Sequence, residues 1–391
     1  MSDWKEYKLG DLTVDGKGSY GIAAPAVDYD VEKYTYLRIT DINDDGTLNK
    51  NGLKSVDDKN APKYLLHKND IVFARTGASV GRSYFYDERD GELVYAGFLI
   101  KYSIDPSKVN PKILKFYTHS QAYYDWIQTV DNGATRGNIN AQTYALMPVV
   151  LPERQEQDKI VSILTSLDDK IDLLRRENAT LEAMAETLFR QWFVEEAKEE
   201  WEEKPLSFFG RIVCGKTPPK KENKYFGGRI PFIKIPDMHK KTFVFDSEDS
   251  LTEEGKLYQS GKTLPPFSII VSCIATVGLV VLNAKEAQTN QQINSIIPYK
   301  DEYRYYLYLY LKNLYDELNA MASGGTATLN LNTGVFSKIS ICYPSVDILI
   351  AFHNQIKGVF EKIYYNQNQI NTLIQTRDGL LPRLMSGEIK I

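Results

Sequence analysis

The second half of this chain repeats the first in order, so whatever folds from one half must fold again from the other. Trp4-Lys5-Glu6 with Leu9 returns as Trp201-Glu202-Glu203 with Leu206. Tyr36-Leu37-Arg38-Ile39-Thr40-Asp41-Ile42 returns as Phe232-Ile233-Lys234-Ile235-Pro236-Asp237-Met238. Val72-Phe73 through Ser79-Val80-Gly81 returns as Ile269-Ile270 through Thr276-Val277-Gly278. Asn138-Ile139-Asn140 then returns as Asn330-Leu331-Asn332, and Leu151-Pro152 as Tyr343-Pro344, both at an offset of 192. A constant offset at the end of the series means that nothing is inserted between the copies there.

Each copy has one internal grammar. Short β-branched and aromatic runs punctuated by Gly, Pro, Asn and Asp read as strands and turns. A short amphipathic helix follows, with Leu307, Leu311, Leu314, Leu318 and Met321 at helical spacing in the second copy and Leu114, Tyr117, Tyr124 and Ile127 in the first. A polar Gly-rich loop comes next, Asn132 to Asn140 and Gly324 to Asn332, then a Pro and a long helix. The fold class this predicts is α+β, built from two small α/β-type modules.

The long helices carry heptads. After Pro152, the residues Leu164, Leu167, Ile171, Leu174, Asn178, Leu181, Ala185, Leu188 and Trp192 alternate steps of three and four; after Pro344, Ile356, Val359, Ile363, Asn366, Ile370, Leu373, Arg377 and Leu380 do the same. About four heptads of ~10 Å each outrun the face of a small domain, so each helix needs a long partner, which the other copy supplies. Twofold-related units pair such helices antiparallel, and Asn178 at an a position then shares a layer with Asn366 at a d position, fixing register. The expected boundaries are a globular domain at 1–152, a helical region at 153–200, a second globular domain at 201–344 and a second helical region at 345–391. Helices of ~40 residues would make a rod of roughly 60 Å.

The formal net charge of −4 neither supports nor excludes a polyanionic partner, because charge is segregated. Residues 195–203 are strongly acidic, whereas Lys216, Lys220, Lys221 and Lys224 crowd one stretch. Cys214, Cys273 and Cys342 are odd in number and far apart, and the four histidines are scattered, so neither a disulfide framework nor a metal site is expected. The start of the chain has no apolar signal core, and Ile269 to Leu282 falls short of the ~18 residues of a membrane span. The expectation is a soluble, cytoplasmic protein with no membrane contact.

Gly210-Arg211-Ile212-Val213-Cys214-Gly215-Lys216-Thr217 satisfies the phosphate-loop pattern G-x-x-x-x-G-K-[ST]. That chemistry needs a helix opening at the Lys-Thr. Here Pro218 and Pro219 follow, then charged residues with no apolar helical stripe. A nucleotide-binding enzyme built on this loop is the alternative reading. A coiled-coil scaffold whose end domains bind protein is a third. No catalytic residue and no metal ligand emerge otherwise.

Two similar modules related by a dyad suit two half-sites on duplex DNA. Arg pairs bidentately with guanine, Asn and Gln pair with adenine, and Lys tethers phosphates. The DNA-binding candidates are Arg38, Arg75, Arg82, Arg136 and Asn138 in the first copy, and Lys216, Lys220, Lys221, Lys224, Lys234, Lys240 and Asn330 in the second. The copies share a frame but differ here: Arg75-Thr76-Gly77 faces Ser272-Cys273-Ile274, and Arg136 faces Thr328.

Over its whole length the chain resembles the specificity subunits of type I restriction-modification systems. The resemblance rests on Trp4-x-x-x-x-Leu9-Gly10-Asp11 and its echo, on Ile71-Val72 through Val80-Gly81, on Leu151-Pro152-Glu153-x-x-Glu156-Gln157, and on the ending Leu380-Leu381-Pro382-Arg383-Leu384-Met385-Ser386-Gly387-Glu388-Ile389. It implies two DNA target-recognition domains separated by two antiparallel coiled-coil helices that act as a ruler for a bipartite target with a fixed gap. It also implies partners: double-stranded DNA, two adenine methyltransferase subunits, and restriction/translocase subunits. S-adenosylmethionine, ATP and magnesium would belong to those partners, with no cofactor in this chain. Ser345-Val346-Asp347 stands where the first copy has Glu153-Arg154-Gln155, a departure that sets the two helix starts apart.

Overall fold

A computed structural model describes residues 4–131, 138–323 and 329–391. The chain forms two compact units: Met1–Lys170 with Leu373–Ile391, and Ile171–Thr372.

In the first unit, strands Ser19–Tyr20, Leu99–Ser103, Asp70–Ala74 and Ser83–Phe85 lie in that order in one sheet. A second sheet runs Ala26–Asp28, Lys54–Val56, Tyr34–Leu37, Leu93–Tyr95, and Lys5–Lys8 pairs antiparallel with Pro148–Leu151. Asp70–Ala74 is buried along its whole length. Its side chains alternate between two cores: Ile71 and Phe73 pack with the helices, while Val72 and Ala74 pack with Leu37, Tyr84 and Leu93. A continuous apolar run is what burial on both faces demands.

The second unit repeats this plan. Gly210–Cys214, Ile293–Pro298, Ile269–Ile274 and Thr276–Asn283 follow the same order, extended by Phe243–Val244. Ser250–Leu251, Phe226–Ile233 and Gln288–Thr289 form the second sheet, and Glu202–Pro205 pairs with Ser340–Tyr343. Both units pair their counterpart strands parallel at one place, Tyr34–Leu37 with Leu93–Tyr95 and Phe226–Ile233 with Gln288–Thr289.

The amphipathic helix expected in each copy is two helices. The second copy has Asp301–Asn313 and Tyr315–Ala322, interrupted at Leu314 (φ −86°, ψ 17°), and the first has Ile113–Tyr117 and Gln121–Asp131. Ser120 Oγ accepts the Tyr123 N–H at 3.3 Å and so caps the helix that starts after the break. Tyr124 and Met321, on the expected apolar stripe, are exposed as a result.

The long helices are Arg154–Arg190, which ends in a π-helical turn over Gln191–Glu195, and Val346–Met385. They run antiparallel within each unit. In the first, Arg377 Nη1 meets Asp168 at 3.1 Å and Lys159 Nζ donates to the Ile391 carbonyl at 2.9 Å. In the second, the Asn366 side-chain amide donates to Asn178 Oδ1 at 2.9 Å, both residues buried, and Trp192 packs on Phe352. The seam drifts near its end. Ala185, Phe189 and Phe193 are the buried positions, and Leu188 and Trp192 lie at the rim, because steps of four outpace the heptad.

Candidate nucleic-acid interface

Backbone hydrogen bonds fix which residues of the two units are equivalent. The Gly21 and Ile22 N–H groups donate to the Leu99 and Tyr95 carbonyls, and the Gly215 and Lys216 N–H groups donate to Ile293 and Thr289 in the same way, at 2.9–3.2 Å. A Cβ at Gly21 would sit 2.3 Å from the Ala96 carbonyl oxygen, and one at Gly215 would sit 2.0 Å from that of Asn290. Only glycine permits either approach. Tyr20 and Cys214, one residue earlier, therefore occupy the same place.

The Arg75 N–H donates to the Phe98 carbonyl and its own carbonyl accepts from Ile139, while Cys273 does the same with Gln292 and Leu331. Arg75 thus corresponds to Cys273, not to Ser272 as the sequence offset indicates. The pairing of Ile269–Ile274 with Thr276–Asn283 slips between Val271 and Cys273, and this bulge moves the count by one. Thr76 then bridges to Asn138 as Ile274 bridges to Asn330.

Of these three equivalent positions, two carry different side chains, Tyr20 against Cys214 and Arg75 against Cys273, while Asn138 and Asn330 keep the same one. In the first unit the Arg75 guanidinium lies over the Tyr20 ring, 4.8 Å from its centre, and donates through Nη2 to Asn138 Oδ1 at 3.2 Å. The Tyr20 hydroxyl accepts the Ala141 N–H at 3.1 Å, which holds the ring in place. Phe98 beside them is 60% exposed. In the second unit Cys214, Cys273 and Asn330 line a cleft with Gln291, Asn294 and Asn332. There the Thr217 hydroxyl donates to Gln291 Oε1 at 2.7 Å.

The other candidates divide by whether a carboxylate already holds them. Arg38 grips the buried Asp41 through Nε at 2.8 Å and Nη2 at 2.6 Å, a hydrogen-bonded pair that raises the arginine's pKa. Lys234 pairs with Asp249, while its N–H donates to Asp237 at 2.8 Å. Both residues cap a short helical turn and belong to the frame. Arg82 pairs with Asp44 at 2.6 Å and Lys224 with Glu254 at 2.7 Å. Lys216, Lys220, Lys221 and Lys240 are exposed and, among the described residues, have no carboxylate partner. Arg136 lies outside the described residues, as does Thr328.

The phosphate-loop pattern has the wrong backbone for phosphate. Gly210–Cys214 is a sheet strand, no helix opens at Lys216-Thr217, and the Gly215 and Lys216 N–H groups are already bonded to carbonyls. A phosphate loop needs those groups free. Among the described residues no three His, Cys, Asp or Glu could hold a metal ion, and no helix is long and apolar enough to cross a membrane. Tyr20, Phe98 and Gln291 carried no sequence signal beyond their neighbours. Gly21 and Gly215 were the residues that could have pointed to the first.

Comparison with known proteins agrees with the duplicated fold. A family model described as the type I restriction modification DNA specificity domain matches residues 1–183 and again 198–376. The type I restriction enzyme HindI specificity subunit of Haemophilus influenzae is 34% identical over 473 residues, covering 100% of each chain. The MjaIX specificity subunit of Methanocaldococcus jannaschii is 26% identical over 299 residues, 68% of this chain and 66% of its own. A crystal structure of a type I restriction-modification S subunit from M. genitalium shares the fold with a TM-score of 0.62 at 16% identity, over 98% of this chain and 96% of that one. Matched in both halves and end to end, the chain belongs to the type I restriction-modification specificity subunits, the DNA-reading and non-catalytic members of those systems.

Proposed function

We propose that each unit reads one half of a split DNA target, that the long helices set the gap between the halves, and that the chain works in the cytoplasm. Two adenine methyltransferase subunits would dock on it, joined by restriction/translocase subunits. S-adenosylmethionine, ATP and magnesium would be held by those partners. The observation that carries this reading is the repeated frame with unlike side chains: Tyr20 and Arg75 in one unit stand where Cys214 and Cys273 stand in the other. Equal frames place two readers alike, and unlike side chains make them read different bases.

The test is to co-express the chain with its methyltransferase subunits and map methylated adenines across the host genome. One motif of two unlike halves with a constant gap is expected. A contiguous motif, or two identical halves, overturns the proposal. The chain alone should hydrolyse no ATP, and an ATPase activity lost in Lys216→Ala would reinstate the nucleotide-binding reading.

A further inference from the structure

Arg75 differs from every other described arginine of the first unit. Arg38, Arg82, Arg89, Arg154, Arg377 and Arg383 each meet an Asp or Glu. Among the described residues Arg75 meets only a ring and a neutral amide, and its buried Nε has no hydrogen-bond partner there. A half-buried cation without a compensating anion is costly unless something outside the chain completes it. Its backbone is locked at the end of the buried strand Asp70–Ala74, and Tyr20 and Asn138 confine the guanidinium from two sides. A guanidinium held this tightly presents its paired donors in one fixed direction, whereas a phosphate can also be tethered by a freely swinging lysine. The fixed guanidinium suits a partner that demands fixed, planar, paired donors.

We propose that Arg75 reads a guanine in the half-site of the first unit, with Tyr20 and Asn138 as the residues that position it. This rests on the reading of the chain as a specificity subunit with two DNA-reading units. The O6 and N7 of guanine in the major groove match a guanidinium's paired N–H groups, and exposed Phe98 beside it offers an apolar surface to a neighbouring base. The second unit serves as the built-in contrast. Cys273 at the equivalent place is buried and cannot form the bidentate pair, so the guanine preference belongs to one half only.

The test compares methylation motifs directed by wild type, Arg75→Ala, Arg75→Lys and Tyr20→Leu, each checked for an unchanged melting temperature. The first-unit half is identified by exchanging residues 1–152. In wild type that half contains a guanine. Arg75→Ala should let other bases into that single position, with discrimination for guanine in binding assays falling roughly 10- to 100-fold and the rest of the motif intact. Arg75→Lys keeps the charge and should lose discrimination almost as fully; Tyr20→Leu should lose part of it. A first-unit half with no guanine overturns the proposal. So does an Arg75→Ala variant that binds all sites equally more weakly with an unchanged motif, or an Arg75→Lys variant with wild-type discrimination. Absence of any split motif in wild type would count instead against the two-reader function on which the proposal rests.

Discussion

Replacing either member of the Asn178–Asn366 layer by Leu should destabilise the second unit, and by unequal amounts. Asn366 Nδ2 donates to Asn178 Oδ1 at 2.9 Å and also to Glu177 Oε2 at 3.0 Å, and both asparagines are buried. Asn366→Leu removes both bonds. It strands the Asn178 oxygen in an apolar seam and leaves Glu177 with Lys362, at 3.3 Å, as its remaining cation. An unsatisfied buried polar group costs about 1–3 kcal/mol, so the expected loss is about 2 kcal/mol. Asn178→Leu leaves the Asn366 amide bonded to Glu177 and should cost about 1 kcal/mol. The double variant has a continuous apolar seam and should recover much of the loss, giving a coupling of about 1 kcal/mol or more. Urea titrations followed by circular dichroism, analysed as a double-mutant cycle, measure all three quantities. Additivity within about 0.5 kcal/mol would refute the shared layer, and equal single losses would refute the added contribution of the Glu177 bond.

Other consequences follow from the same structure. Asp168 sits between Lys115 at 2.6 Å and Arg377 at 3.1 Å; burial raises its carboxyl pKa, but the two cations outweigh burial and hold it below the ordinary value. A carboxylate depressed in the folded state stabilises above its unfolded pKa and loses that contribution as pH falls through its folded pKa. Asp168→Asn should therefore be less stable than wild type by about 1–3 kcal/mol at pH 7, a gap that closes below about pH 4; a pH-independent gap would contradict this. Gly215→Ala should cost about 2 kcal/mol or more, because its Cβ meets backbone at 2.0 Å, while Lys216→Ala should stay within about 0.5 kcal/mol; thermal melts decide. Lys220→Ala with Lys221→Ala should weaken DNA binding at all sequences and flatten the log K against log salt slope by about one for each phosphate no longer neutralised, and an unchanged slope would mean both face solvent.

The duplication and the start of each long helix were legible because they need only order and a proline: the helices begin at Arg154 and Val346, just past Pro152 and Pro344. The Asn layer followed from heptad register. What escaped depended on local slips in backbone count. A bulge after Val271 shifts Arg75 onto Cys273, and a break at Leu314 leaves helical periodicity running across two helices, where spacing alone cannot see it. Arg38 and Lys234 are candidate readers by residue type, but each copy also places an Asp three residues on, Asp41 and Asp237, and in both units that pair caps a short helical turn. Tyr20 was invisible because its role comes from Arg75, far along the chain, through a fold that brings two strand ends together.

The most direct test of two separate readers is to exchange residues 1–152 for the matching segment of a relative with a different target, and to map methylated adenines in cells carrying the chimera with its methyltransferase subunits. One half of the motif is expected to change while the other half and the gap stay as in wild type. A motif changed in both halves, or in neither, would contradict two separate readers.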